Sequence, residues 1–405
     1  MKIKEKFVQL WNKFSRWLSV KKLAIGAFAA FLLSLFPILY LTVVNRASGD
    51  DYGYGKYTRP AWAATHSLIE VAKAIGQTIR QYYYGWQGTW FSIALFTLQP
   101  EVFHDKAYII VTPLMLLLWI GSTFYLFREI LIHHMKIDKW SYRLITILFL
   151  FISIQFIPGK KSSLYWFNGC AHYMIPFTMC QLVLVWLLKW GRTYDKRYFI
   201  GILLFMTLLG GSNYQAALLV FLFAVYYGMY HFFHEKDKRV FLLCIPLATE
   251  LAGLLVSMLA PGNKARGGEA FGLSAGKLKE VVKYKQAAAH ACLVVPGLMV
   301  LGIAAFICRH GIKTTTDYIC YDYISSGQAS DYKEQMDLQT RLLLDPQKED
   351  IVIPGINDQQ GPLMHMPVTE DVSAWTNYVT ADFYEKNSVV SIPRPEWMEK
   401  YGQGE

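Results

Sequence analysis

The chain has 405 residues, of which 54% are hydrophobic and 16% aromatic, and it carries a formal net charge of +10. So much apolar surface excludes an ordinary soluble domain. The charge is also divided: residues 1–308 sum to +18 and residues 309–405 to −8, so an acidic polar part follows a basic apolar one.

Residues 1–22 form a basic N-terminus with seven Lys/Arg. They read as a positively charged cytoplasmic anchor; Trp11, Phe14, Trp17 and Leu18 among the lysines leave open an amphipathic helix on the inner leaflet. Residues 23–308 form the transmembrane part. Hydrophobic runs recur at 23–45, 107–127, 144–157, 171–188, 198–209, 215–234, 240–260 and 288–308. A crossing helix needs about 20 apolar residues, and interfacial flanks (Trp140, Tyr142, Tyr194, Tyr198) extend the two shorter runs, so eight spans are expected. The first run is long enough to span and is followed by a poor cleavage site at Asn45–Gly49, so it is expected to be a retained anchor.

Charge orients these spans. The N-terminus and the loops 128–143, 189–197 and 235–239 hold 18 Lys/Arg within 52 residues, whereas the alternate loops hold 14 within 106. The denser set is expected in the cytoplasm. The loops 46–106, 158–170, 210–214 and 261–287 then lie outside, on a plasma membrane. Within the first of them, Gln81–Phe96 is aromatic at one end and apolar at the other, which predicts an interfacial helix. The six cysteines show no CxxC spacing and read as small residues of membrane helices.

Residues 309–405 form a small α+β or partly ordered tail. Helices are predicted at 317–344 and 371–386, and strands at Asp350–Pro354 and Ser388–Ile392. Eight spans would put this tail in the cytoplasm.

The unusual polar chemistry is gathered in the outer loops. Asp50 and Asp51, wrapped by Gly49, Gly53 and Gly55, leave the first span directly. A carboxylate near lipid, beside a second acid, has its pKa raised and can serve as a general base; the alternative is a solvated stop to the helix. Lys160, Lys161, Lys264 and Arg266 are outer-side cations suited to a phosphate, whether of a bound donor or of ordinary anionic lipid. His172 opens a span beside them and suits a phosphate contact or a structural role. Tyr52, Tyr54, Trp86, Tyr165 and Trp166 are candidates for stacking on sugar faces, or form an interfacial belt. Asn168, Asn213 and Asn263 sit at loop–span junctions, where they cap helices or bind hydroxyls. Glu250 is a mid-span acid. Walker, GxGxxG and HExxH motifs are absent from the sequence, and no nucleic-acid partner is expected.

Several segments carry a resemblance: Ser48-Gly49-Asp50-Asp51-Tyr52, Trp86-Gln87-Gly88-Thr89, Tyr165-Trp166-Phe167-Asn168-Gly169, Ala260-Pro261-Gly262-Asn263, and the tail piece Trp375-Thr376-Asn377 through Ala381-Asp382-Phe383-Tyr384. With a cytoplasmic N-terminus, one span and a long acid-bearing outer loop, the chain resembles the GT-C superfamily of multi-spanning glycosyltransferases, and within it a poorly characterised bacterial family. The resemblance implies an all-α polytopic, GT-C-like helical bundle and an inverting transfer of sugar from a polyprenyl-phosphate donor to an envelope glycan, lipid or protein acceptor. It implies Asp50 or Asp51 as catalytic base or as holder of a helping metal. Neutralisation of the phosphate by Lys/Arg makes a metal unnecessary, while a divalent ion on the two acids stays open. Relatives of this kind carry an extracytoplasmic C-terminal part, unlike the layout eight spans give here. Two other expectations compete: a transporter or flippase of lipid-linked glycans, and a non-catalytic, truncated envelope scaffold.

Overall fold

The computed structural model describes residues 19–267, 311–357 and 361–402. The expectations for the first 18 residues and for the run 288–308 lie outside the described residues.

Helix α1 (Val20–Tyr40) starts where the Ser19 hydroxyl accepts from the Lys22 amide at 3.4 Å, and continues as a 3-10 turn to Val43. With Val20–Val43 at a mean hydropathy of 2.2, it satisfies its own backbone and presents a uniformly apolar surface. Four helices follow, three of them short: α2 (Asp50–Gly55), α3 (Thr58–Thr65), the longer α4 (Leu68–Gly85) and α5 (Trp90–Phe96). The long helices are α6 (Val111–Phe127), α7 (Lys139–Gln155), α8 (Ile175–Thr193), α9 (Lys196–Leu209), α10 (Tyr214–Glu235) and α11 (Cys244–Met258), after which comes the single turn α12 (Gly262–Gly267).

Among the described residues, five helical stretches are long and apolar enough to cross a membrane: Val20–Val43, Ala107–His134, Phe167–Thr193, Tyr214–Glu235 and Lys238–Met258. The shorter α7 and α9 lie alongside them, α7 against α1 and α9 between α8 and α11. Many outward side chains of these helices are apolar and exposed, including Leu33, Phe36, Leu117, Leu204 and Leu222. That surface fits lipid rather than water. The chain is therefore a multi-pass helical membrane protein. At the end of the bundle away from Asp50, aspartates punctuate the turns: Asp138, Asp195 and Asp237 each accept backbone amides from the first turn of the next helix.

Gln81–Phe96 is not one interfacial helix. Its first residues end α4, the chain breaks at Trp86–Thr89, and α5 turns inward to bury Ser92, Ile93 and Phe96. Glycine allows the break. A β-carbon on Gly88 would overlap the Ser257 carbonyl at the end of α11, so the turn packs directly on that helix. The surface helix of this region is α4 itself, which buries Val71, Ala74 and Thr78 and exposes Leu68, Ile69 and Tyr84.

The tail is an ordered α+β module. It contains α13 (Thr316–Ser325), α14 (Gln328–Leu343), β1 (Asp350–Pro354), α15 (Trp375–Tyr384), β2 (Ser388–Ile392) and α16 (Arg394–Tyr401). The two strands pair in parallel, Asp350 opposite Ser388 through Pro354 opposite Ile392. The expected helix 317–344 is divided by Gly327 at φ +82°.

This module sits at the same end of the bundle as the motif loops. The Thr316 hydroxyl donates to the Ile154 carbonyl (2.8 Å) at the end of α7, and the Gln155 side chain accepts from the Asp317 amide (2.9 Å). Arg46 pairs with Asp337 at 2.7 Å and Lys56 with Asp382 at 3.1 Å. Tyr52 packs on Phe383, with ring centroids 4.7 Å apart. Eight single crossings would have placed the module at the opposite end. Its contacts correct that expectation: an apolar interface and two ion pairs tie it to the loop that follows α1.

Candidate functional site

Asp50 and Asp51 open α2, where their charges face the free amides of the helix start. Gly49 precedes them at φ +49°, a left-handed conformation that turns the chain sharply out of the first span. Consecutive helical residues point about 100° apart, and the two carboxylates meet different surroundings. Asp51 is fully buried. It accepts the Tyr108 hydroxyl at 2.6 Å, the Asn168 amide at 3.3 Å and the Ser48 amide at 3.4 Å. Tyr108 in turn accepts the Phe167 amide at 2.9 Å. Burial pushes the Asp51 carboxyl up to about 7 against the lowering effect of these hydrogen bonds.

Asp50 faces a partly open cleft of about 690 Å³. Burial raises its pKa, and the Arg266 guanidinium pulls it part of the way back. Six other predicted residues line the same cleft: Tyr54, Trp86, Trp166, Asn168, His172 and Arg266. Arg266 bonds the Gln87 side-chain oxygen and lies 5.9 Å from the Trp86 ring centroid. The Gln87 amide donates to the Tyr54 hydroxyl at 3.1 Å, which ties the cation to α2. His172 Nδ1 is 2.9 Å from the Ser92 hydroxyl. Among the described residues, neither polar atom of the Asn168 side chain, nor the Trp166 indole nitrogen, has a hydrogen-bond partner, although Asn168 is only 3% exposed. Unpaired polar groups at the edge of a cleft are prepared for a ligand.

The other predicted residues do not line the cleft. Tyr52 is buried and donates to the Ala47 carbonyl at 2.8 Å. Tyr165 is buried in the module seam, donating to the Ile38 carbonyl at 3.1 Å. Asn213 caps α10, accepting from the Gln215 and Ala216 amides at 3.0 and 3.2 Å. Asn263 staples the glycine turn, accepting the Gly88 amide at 3.0 Å and donating to the Ser257 carbonyl at 2.8 Å. Lys160 reaches the Ile157 carbonyl at 3.4 Å, and Lys161 and Lys264 are exposed. The expected four-cation cluster thus contributes Arg266 alone to the cleft. Glu250 is buried in α11 and is not on the cleft wall.

Sequence reasoning missed Gln81, Tyr82, Gly85, Gln87, Phe96, Gly169 and Tyr173 as lining residues, and above all Trp375 and Tyr378 from the tail. The tail motif beginning at Trp375 was visible in the sequence; nothing local connected it with a loop more than three hundred residues earlier.

A divalent cation is a poor match to this donor set. Asp51 already accepts three hydrogen bonds inside the protein, which leaves Asp50 as one carboxylate facing the cleft. Among the described residues, no group of three or more His, Cys, Asp or Glu converges on one point.

Comparison with protein-family models, curated proteins and solved structures returned no match for the chain. Fold and site together define a multi-pass helical membrane protein that carries, at one end, a cleft lined by an acid, a cation, amides and aromatic rings.

Proposed function

We propose that this cleft is the active site of an inverting membrane glycosyltransferase that takes a sugar from a polyprenyl phosphate. The observation that carries the reading is the placement of Asp50 and Arg266 on one cleft beside the ends of apolar helices. A base and a phosphate-binding cation are the two charged groups a single displacement needs. Asp50 removes the proton from an acceptor hydroxyl as that oxygen attacks the anomeric carbon. The new carbon–oxygen bond forms on the face opposite the breaking one, and the phosphate leaves with the bonding pair. Arg266 takes up the charge on the phosphate, helped by the neighbouring His172 ring. Asp51 holds the Ser48, Tyr108 and Asn168 segments around the base and takes no proton from the substrate.

The charge distribution of the loops supports an outer-face cleft on the plasma membrane with a cytoplasmic N-terminus. In this reading the five long apolar stretches cross together with α7 and α9, and the tail lies outside with the loop that it contacts through Arg46 and Lys56.

The test is transfer from undecaprenyl-phosphate sugars by the full-length protein in membranes. Asp50→Asn should lower the rate by about 10²–10⁴-fold while the protein inserts and purifies normally. Undiminished transfer by this variant, or failure of the wild type to bind undecaprenyl phosphate, would overturn the assignment.

A further inference from the structure

Two rings of the cleft belong to the tail and stand apart from the phosphate chemistry. Trp375 and Tyr378 are three residues apart on α15, so their side chains share one face of that helix. They are 40% and 45% exposed, whereas Asn377, Val379, Thr380, Ala381 and Phe383 of the same helix are buried. The Trp375 ring reaches the turn that carries the base: a β-carbon on Gly53 would lie 3.1 Å from Trp375 Cζ2 and 3.3 Å from the Tyr82 hydroxyl. Tyr378 is steadied by Lys56, whose ammonium lies 5.4 Å from its ring centroid and pairs with Asp382. That cation is already engaged.

Charged and aromatic groups line the cleft together. Asp50 is within electrostatic reach of both Arg266 and Tyr82, and Tyr82 is within reach of Tyr378. Tyr82 also stacks on Tyr54 with centroids 4.1 Å apart, and the preceding residue Gln81 lines the cleft as well. The base therefore shares its cleft with a cation and with a group of aromatic rings.

Large rings left half-exposed in a cleft invite a cover that brings apolar faces and a polar edge together. A pyranose has that shape, with C–H faces to lie on the rings and hydroxyls for the Gln81 amide and the Tyr82 hydroxyl. A prenyl chain would leave the amide unpaired, and a peptide strand would need an open backbone edge where α15 offers a helix face. We infer that Trp375, Tyr378 and Tyr82 form a subsite for a neutral carbohydrate acceptor, so that the transferred sugar is added to an existing glycan. The inference rests on the glycosyltransferase reading for the donor end of the cleft.

The test uses the full-length protein in lipid nanodiscs with two probes: an array of neutral hexose and N-acetylhexosamine oligosaccharides, and undecaprenyl phosphate. The wild type should bind at least one oligosaccharide. Trp375→Ala and Tyr378→Ala should each weaken that binding about tenfold or more, as loss of an aromatic anchor does, while undecaprenyl phosphate still binds. Arg266→Ala should do the reverse, and Trp375→Phe should restore much of the oligosaccharide binding in a monodisperse protein. No oligosaccharide bound by the wild type, or equal binding by both alanine variants, overturns the acceptor subsite. Oligosaccharide binding lost in the alanine variants without any undecaprenyl-phosphate binding by the wild type overturns the donor reading instead and leaves this subsite standing.

Discussion

Asp50 and Asp51 are chemically identical neighbours, and a quarter-turn of helix separates their roles. Asp50 meets the cleft and Arg266; Asp51 meets Tyr108 and two backbone amides. In the proposed role of base Asp50 must be deprotonated, and burial raises its pKa from the ordinary aspartate value. The transfer rate should therefore rise with pH through an apparent pKa above that of a free aspartate, and Asp50→Glu should displace the profile. For Asp51 the consequence concerns stability. A carboxyl whose pKa is raised on folding favours the folded state most when protonated, so its contribution is complete below the unfolded value of 3.8 and fades as pH rises through about 7. Glu101, buried near Arg46 and Arg59, has its carboxyl raised to about 8 and acts in the same sense. The thermal midpoint in detergent should fall between about pH 5 and pH 8, and Asp51→Asn should flatten part of that slope. Asp51→Ala strands three buried donors and should destabilise by about 2–4 kcal/mol, read from the same melting curves. The acid pair was legible in the sequence, whereas its division was not, because which carboxylate turns inward depends on Tyr108 and Asn168, 57 and 117 residues away.

At the scale of elements, two seams position the cleft. The first joins the Trp86–Thr89 turn to the end of α11, with Gly88 against the Ser257 carbonyl and Asn263 bonded across. Gly88→Ala forces these apart, and by analogy with overpacked cores it should cost about 1–3 kcal/mol and loosen Arg266 from Gln87; thermal unfolding reads the first effect and undecaprenyl-phosphate binding the second. The second seam docks the tail on the loop after α1, with α15 on α2 and α14 against Arg46. Its ion pairs are partly exposed, with Asp337 at 39% and Asp382 at 45%, and such pairs contribute only about 0–1 kcal/mol each. Phe383 is fully buried and should matter more. Phe383→Ala should cost about 3–5 kcal/mol and expose the tail to limited proteolysis, whereas Asp337→Asn with Asp382→Asn should leave it docked. Both strands of the tail appear with the bounds that their β-branched runs predict, because short alternating segments between turns carry local information. The broken Gln81–Phe96 segment shows the contrary case: its aromatic-to-apolar gradient resembles an interfacial helix, and only the packing of Gly88 on α11 explains the break.

For the molecule as a whole, the tail and the first loop share one end of the bundle. Cysteines placed at two exposed sites, His66→Cys and Ser373→Cys, should therefore react together with a membrane-impermeant maleimide in intact cells; labelling of one without the other would contradict the docked arrangement. Hydrophobic runs and charge density revealed a polytopic helical protein, since the requirements of a bilayer are written locally along the chain. The side on which the tail lies was not readable from the runs, because a count of crossings carries each error forward to every later segment.

The hydrogen bond between Tyr384 and Tyr52 joins positions 332 residues apart, and the Trp375 wall closes over the turn that bears Asp50 only when that distant partner arrives. During synthesis the emerging acid pair must wait, half-walled, until more than three hundred further residues have been made. Ordering by such remote contacts is slow to begin, since loop closure costs entropy before any packing repays it. Premature stop codons upstream of Trp375 would thus yield a protein whose cleft lacks the Trp375 and Tyr378 wall.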